Sequence, residues 1–352
     1  MRKIKKLWLG LGILGMLVLG LSWGQLAQAA NTTKSNQANQ IGFSVSAKIP
    51  DNQINQQNSF FDLKMNKGQS ETLQTRIYNV TNQDIKIQTA IHTAYTNGNG
   101  AIEYVTPAKS FDESLTYKMT DLTKLQGAKT VTVPANSSKV VSAQVKMPDQ
   151  DFNGVILGGW YFKRVDQKVT SSVKGSMNVK NQYSYVIGLK YTMGTVPAPS
   201  LKLSKVTVGM TNYHRGIFPY IRNTSAVIVP NLKMATTITN KNSGKVVKTA
   251  KKSDVQLAPN SVYRYPMLTG KTKLQAGNYH LKMVVKNSDH KWVFEKDFTI
   301  TAKAAKTYND KSVDNSGINV IWFVVFGALG MLIIVLLGLW LFFFIKKRRQ
   351  NG

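Results

Sequence analysis

From Phe43 onward, apolar and polar positions alternate with a period of two. In IKIQTAIHTAY, Ile85, Ile87, Thr89, Ile91, Thr93 and Tyr95 share one face; in YSYVIGLKYTM, so do Tyr183, Tyr185, Ile187, Leu189, Tyr191 and Met193. Successive side chains of an extended strand point to opposite faces, so each run predicts a strand with one buried and one solvated side. TVTV, KVVSAQVKM and GVILGGWYF add β-rich runs, and Asn97-Gly98-Asn99-Gly100 and Pro134-Ala135-Asn136 signal turns. Helical periodicity is scarce in this part of the chain. The pattern lapses in the polar leader 30–41, at GTVPAPS (194–200), and over 303–317, a stretch rich in Lys, Asp, Asn and Ser that reads as a linker.

The two halves repeat one plan. IYNVTNQDIKIQT, VPANSSKVVSAQV and NGVILGGWYF in the first correspond to IRNTSAVIVPNLKMAT, LAPNSVYRYPM and AGNYHLKMVV in the second. Convergence on common turn chemistry is the competing account of this likeness. The expected fold class is an all-β ectodomain: two tandem immunoglobulin-like β-sandwiches plus one C-terminal transmembrane α-helix. The first module is set at 42–195, with an insertion over about 97–126, and the second at 196–302. A helix over 318–345 and a basic tail over 346–352 complete the chain.

That helix is predicted from composition. Val320 to Ile345 holds no charged, amide or hydroxyl side chain, and 26 helical residues reach roughly 39 Å, enough to cross a hydrocarbon core. Trp322, Trp340, Lys346, Lys347, Arg348 and Arg349 form the expected anchor, the basic residues marking its cytoplasmic end. Arg2, Lys3, Lys5 and Lys6 precede the apolar stretch Leu7–Leu21, and Ala27-Gln28-Ala29 supplies a small-x-small site, so residues 1–29 read as a signal peptide cleaved after Ala29. An uncleaved two-span hairpin is the alternative. A Leu-Pro-x-Thr-Gly sorting signal does not occur in the sequence. The expected location is the cell membrane, single-pass, with the bulk of the chain outside, within or near a cell wall.

Charge and cysteine content narrow the partners. Against 46 Lys+Arg stand 17 Asp+Glu, a net +29, and removing the signal and tail residues leaves +21 outside. An exported chain rarely meets nucleic acid, so anionic lipid head groups or the phosphate polymers of a wall, teichoic acids among them, are the better candidates, beside a merely solvated basic surface. Residues 201–302 carry 17 Lys+Arg and 4 Asp+Glu. With no cysteine, the modules must be held by burial, and thiol chemistry is excluded.

No catalytic or metal constellation emerges. His92, His214, His280 and His290 lack metal-ligand spacing, and neither Gly-x-Ser-x-Gly nor a phosphate-cradling glycine motif is present. Asp112-Glu113 and Asp149/Asp151 are the nearest thing to a glycosidase pair, but they read as solvated loop charges, leaving a glycan hydrolase as a remote alternative. No catalytic, cofactor-binding or metal residue is assigned. Sugars stack on exposed aromatic faces, and Tyr104, Phe111 and Tyr117 lie in a polar setting inside the insertion, making them the glycan-binding candidates. Trp160 reads as core, and His92 as a surface residue on the polar side of its strand.

GFSVSAKIP, FDLKMNKGQSETLQTRIYNVTNQDIKI, NGVILGGWYF and YSYVIGLKY resemble the first module of the WxL-interacting proteins of Gram-positive bacteria. LKLSKVTVG, NTSAVIVPNLKM, LAPNSVYRYPM, LQAGNYHLKM and WVFEKDFTI resemble the second. The resemblance implies a non-catalytic surface scaffold. Its first module would bind peptidoglycan, and its second would dock WxL-domain surface proteins or, alternatively, host matrix proteins.

Overall fold

The computed structural model describes residues 42–166, 183–315 and 320–350. The expected signal peptide and leader, with Ala27 and Ala29, lie outside the described residues. The chain forms two compact units. Unit 1 takes residues up to Ala94, Glu103–Ser110 and Leu115–Pro197; unit 2 takes Tyr95–Ile102, Phe111–Ser114 and everything from Ala198 on.

Unit 1 is built from β1 (Phe43–Lys48), β2 (Phe61–Lys64), β3 (Ser70–Asn79) and β4 (Ile85–Thr93). After the short β5 (Tyr95–Thr96) and β6 (Ile102–Glu103) come the one-turn α1 (Met119–Leu122), β7 (Thr123–Gln126), β8 (Thr130–Val133), β9 (Ser138–Lys146), β10 (Gly154–Arg164) and β11 (Ser184–Met193). They make two sheets, ordered β1-β3-β9-β7 and β2-β11-β10-β4-β8. The alternation decides which side faces inward. Leu73, Ile77, Val141, Ala143 and Val145 of the first sheet meet Ile85, Ile87, Ile156, Trp160, Phe162, Ile187, Leu189 and Tyr191 of the second in one buried cluster. Trp160 is fully buried and donates its indole N–H to Thr89 Oγ1, so its one polar atom is satisfied inside the core. The segment 97–126, marked by the sequence as an insertion, contributes β7 as an edge strand of the first sheet, paired with β9.

Unit 2 repeats the plan with β12 (Leu201–Thr211), β13 (His214–Asn223), β14 (Val229–Asn240), β15 (Val246–Leu257), β16 (Ser261–Arg264), β17 (Met267–Leu268), β18 (Gly277–Lys286) and β19 (Lys291–Ile300). One sheet runs β12-β13-β16, with β17 also on β13; the other runs β15-β14-β18-β19. Ile217, Ile221, Leu232, Met234, Ile238, Tyr263, Leu281, Met283 and Val285 belong to the cluster between them. The sequence drew this module as one run from 196 to 302, but the unit also incorporates Tyr95–Ile102 and Phe111–Ser114. Thr96 Oγ1 lies 2.7 Å from Ser261 Oγ and accepts the Ala258 N–H at 3.0 Å.

The internal repeat has a common physical basis. Asn79 ends β3 buried, and its amide donates to the carbonyls of Gln83, Val133 and Pro134 at 2.8, 3.1 and 2.8 Å. Asn223 ends β13 buried, and its amide donates to Val227 and Ala258 at 2.7 and 2.9 Å. Each asparagine thus pins its own turn to a second turn far along the chain. That second turn carries a left-handed asparagine in both units, Asn136 (φ 48°) and Asn260 (φ 47°). The N–H of Asn136 donates to Thr81 O, and that of Asn260 to Ser225 O, both two residues past the pinning asparagine.

Within the expected linker 303–317, residues 303–315 are structured. Ala302–Lys311 is a helix, α2, whose N-cap Thr301 accepts from the Ala304 N–H, followed by a 3-10 turn at Val313–Asn315. Ala305 is buried and Tyr308 packs against the core of unit 2. The last element, α3 (Val320–Gln350), contains a 24-residue stretch, Phe323–Lys346, long and apolar enough to cross a membrane by length and composition. Along α3, Trp340 is exposed and stacks on Phe344, and Lys346 is exposed. Trp322, Lys347, Arg348 and Arg349 continue the same helix.

Removing either pinning amide strands buried carbonyls, each worth about 1–3 kcal/mol. Asn79→Ala and Asn223→Ala should therefore each lower stability by roughly 2–3 kcal/mol in urea unfolding of the ectodomain. Loss below about 0.5 kcal/mol for both would show that the turns hold themselves.

Candidate functional site

In unit 1 the outward side of the five-stranded sheet is the unusual surface. Residues facing away from the Trp160 core alternate with it: Gly159 and Tyr161 on β10, Ala90 and His92 on β4, Val186 and Gly188 on β11. Register places Gly159 opposite His92 on one side and Gly188 on the other, and Tyr161 between Ala90 and Val186. The two glycines leave a floor over which Tyr104 and Phe60 pack. A Cβ on Gly159 would come 3.0 Å from Tyr104 Cβ and 2.6 Å from Val186 Cγ2, and one on Gly188 would meet Phe60 Cβ at 3.5 Å.

The rings hold one another in place. His92 stacks on Tyr161 with centroids 5.3 Å apart and planes 25° from parallel. Its Nδ1 sits 2.9 Å from Tyr104 O, which ties the loop bearing Tyr104 to β4. Phe60, His92, Tyr104 and Tyr161 are all half-buried. Burial raises the Tyr104 phenol above its ordinary value, so it stays protonated and able to donate. The next row carries Lys163 between Gln88 and Ser184, and on the other side Lys190 pairs with Asp62 at 3.0 Å. The arrangement is an aromatic shelf edged by amide, hydroxyl and ammonium donors.

The three aromatics singled out from sequence fall in different settings. Tyr104 is on the shelf. Tyr117 meets Phe152 edge-on at 5.4 Å, and its hydroxyl donates to Gln150 Oε1 at 3.3 Å. Phe111 belongs to a segment of unit 2, beside Asp112. Only the pairing of β4, β10, β11 and β2 brings Phe60, His92 and Tyr161 together. Their shared outward parity was legible within each strand.

In unit 2 the outward side of β15-β14-β18-β19 sorts its charges by row. Near one end, Lys282 pairs with Glu295 at 2.8 Å, His280 Nδ1 with Asp297 at 2.7 Å, and Lys241 also reaches Asp297. The hydrogen bond from Lys241, then that from His280, holds the Asp297 carboxyl below its ordinary value; Lys282 does the same for Glu295. At the other end, Lys233, Lys286 and Lys291 stand directly opposite one another on three adjacent strands. Like charges in that register repel. Asn231, Asn287 and Ser288 join Lys233 and Lys286 around a depression of about 400 Å³. An anion there would relieve the repulsion and take amide and hydroxyl donors as well.

Asp112, one of the candidate acids by sequence, is otherwise engaged. Its carboxylate takes two hydrogen bonds from Arg222, at 2.7 and 2.8 Å, while Glu113 takes a third guanidinium nitrogen at 2.7 Å. Burial alone would raise its pKa, but the Arg222 and Ser114 hydrogen bonds outweigh that and leave it lowered. A glycosidase acid needs the opposite shift. Asp151 is exposed and pairs with Lys67 at 3.0 Å. Among the described residues no group of three metal-ligating side chains occurs.

With this geometry in hand, the comparisons fall into place. The WxL Interacting Protein peptidoglycan-binding domain matches residues 43–164, and the WxL Interacting Protein host-binding domain matches residues 174–310. The fold and these domains define a cell-surface binding protein. The chain belongs to the WxL-interacting protein family. No curated protein matches it. Among solved structures, a chaperone–tip adhesin complex of CFA/I fimbriae biogenesis is 11% identical, with a TM-score of 0.30, covering 72% of this chain and 98% of that one. The E. coli chaperone DraB is 16% identical, with a TM-score of 0.26, covering 74% and 98%. Likeness at that level carries no argument, and the two-sandwich description rests on the sheets themselves.

The lowered Asp112 pKa gives a signed prediction. A carboxyl whose folded pKa lies below its unfolded value stabilises above the unfolded value and loses that contribution as pH falls through the folded one. Asp112→Asn should cost about 2 kcal/mol at pH 7, and the gap from the parent should close as the pH drops below the ordinary carboxyl value of 3.8. Thermal melts across pH 2–7 would check it (a buffer range of roughly five units); a gap independent of pH would contradict the ion-pair account.

Proposed function

We propose that unit 1 binds peptidoglycan on the shelf formed by Phe60, His92, Tyr104 and Tyr161, and that unit 2 docks WxL-domain surface proteins through its lysine row. The chain would be held at the membrane by α3 as a non-catalytic scaffold. The observation that carries the first part is the glycine floor with Tyr104 and Phe60 packed over it. Sugar rings present C–H faces that pack against aromatic faces, and their hydroxyls need donors and acceptors at the rim. Lys163, Gln88 and Ser184 supply those at the edge, and an ammonium also suits the free carboxylates of wall stem peptides.

For unit 2 the support is electrostatic. A lysine row without facing carboxylates favours an anionic partner surface, and steers its approach. Teichoic acids have the same charge and would compete for that row. Contact with host matrix is the second reading, favoured by the host-binding domain match over 174–310.

Sedimentation of the ectodomain with purified wall sacculi, stripped of phosphate polymers, tests the first half, and capture of a purified WxL-domain protein the second. Tyr104→Ala combined with Tyr161→Ala should weaken retention about 10- to 100-fold, since each aromatic contact is worth roughly 1 kcal/mol or more. Lys233→Glu with Lys286→Glu should leave that retention intact, yet weaken capture of a purified WxL-domain protein, with parent binding falling steeply as salt rises. Unchanged retention in the tyrosine variant would remove the shelf from the account. Salt-insensitive WxL capture would remove the lysine row.

A further inference from the structure

The stretch joining unit 2 to α3 is tied down almost to the start of the apolar helix. The Asn309 side chain accepts from the Leu274 N–H at 2.9 Å and donates to Leu274 O at 2.8 Å, as a paired strand residue would. Beyond α2, Ser312 is buried, and the Val313 N–H donates to Tyr213 O at 3.1 Å. The Asp314 carboxylate takes the His214 ring nitrogen at 2.7 Å, Ser312 Oγ at 2.8 Å and the Arg215 N–H at 3.3 Å. Arg215 itself is fully buried and donates to the carbonyls of Gly270, Lys271 and Thr272, fixing the neighbouring loop to the same end of the unit.

Only residues 316–319 separate this latch from Val320. Five Cα steps reach at most about 17 Å. If α3 spans the membrane, the end of unit 2 that carries the β12–β13 turn lies nearest the bilayer. The far end, with Lys286 and Lys291, is a ten-residue strand away, about 31 Å.

The near end has the composition of an interfacial surface. Tyr213 is 73% exposed at the tip of the turn, with φ 63°, a conformation that favours glycine or asparagine and does not itself call for an aromatic. Val313 and Leu268 are exposed close by, as are Lys271 and Lys311. The two carboxylates of the latch are already engaged, Asp314 with His214 and Asp310 with Lys306. Aromatic rings at head-group depth, small apolar contacts and unpaired lysines are what a lipid–water interface receives.

We infer that this end of unit 2 rests in the head-group layer of the outer leaflet, with Tyr213, Val313 and Leu268 entering the interface and Lys271 and Lys311 on lipid phosphates. The inference rests on reading α3 as a membrane span. It makes unit 2 a body seated on the membrane with its lysine row turned toward the wall.

The full chain has no cysteine, so single labels can be placed cleanly. Tyr213→Cys, with Ser288→Cys at the far end as reference, would be labelled with a fluorophore and the full-length protein reconstituted in phosphatidylglycerol–phosphatidylethanolamine vesicles. Lipids spin-labelled near the head group should quench the label at 213 at least threefold more than the label at 288. Adding Asn309→Ala and Asp314→Ala to release the latch should lower the quenching at 213 toward the reference. Equal quenching at both positions in protein that resists carbonate extraction would overturn the inference and leave the span standing. Protein extracted by carbonate would remove the span, and the inference with it.

Discussion

Each unit depends on one constraint: two sheets must bury their inner faces against each other without a covalent crosslink. Burial of apolar surface supplies most of the stabilisation, and with no cysteine no disulfide spans the two layers. Every second residue of the central strands is therefore committed to the interior, Trp160 and Phe162 in one unit, Met283 and Val285 in the other. What recognises partners is confined to the outward positions. The pinning asparagines Asn79 and Asn223 complement this burial by joining distant turns through hydrogen bonds to buried carbonyls.

The outward faces differ by what their rows contain. In unit 1, two small residues in register, Gly159 and Gly188, lower the surface so that rings from outside the sheet can settle on it. In unit 2, long basic residues in register raise a ridge of like charge, while the rows four and six positions along β18 are neutralised by Glu295 and Asp297. The first suits a neutral, ring-shaped ligand with polar edges, and the second an anionic surface. Both features arise from cross-strand register, the property that decides what a β-face presents.

The alternation in the sequence was enough to assign the strands and their buried sides, because burial of one face imposes a period of two. Tyr104 was also legible, as an aromatic out of any apolar pattern. The rest of the shelf was not, since His92, Tyr161 and Phe60 lie far apart in the chain and meet only through pairing of β4, β10, β11 and β2. The lysine row hid for the same reason. α2 was misread as a linker because its apolar side amounts to little more than Ala305 and Tyr308, and beyond the local cap at Thr301 it is held by the side-chain bonds of Asn309, which depend on the folded unit. Asp112 looked like a free acid because its partner, Arg222, is 110 residues away.

The central claim is that unit 1 meets the wall with one particular sheet face. Replacing Tyr161 with a photo-crosslinking benzophenone residue, and in a second protein replacing Val140, 41% exposed on the opposite sheet, would test it on illumination with soluble glycan fragments of peptidoglycan. The account predicts sugar adducts from position 161 and none from 140. Adducts from 140, with none from 161, would place the ligand on the other face and contradict it.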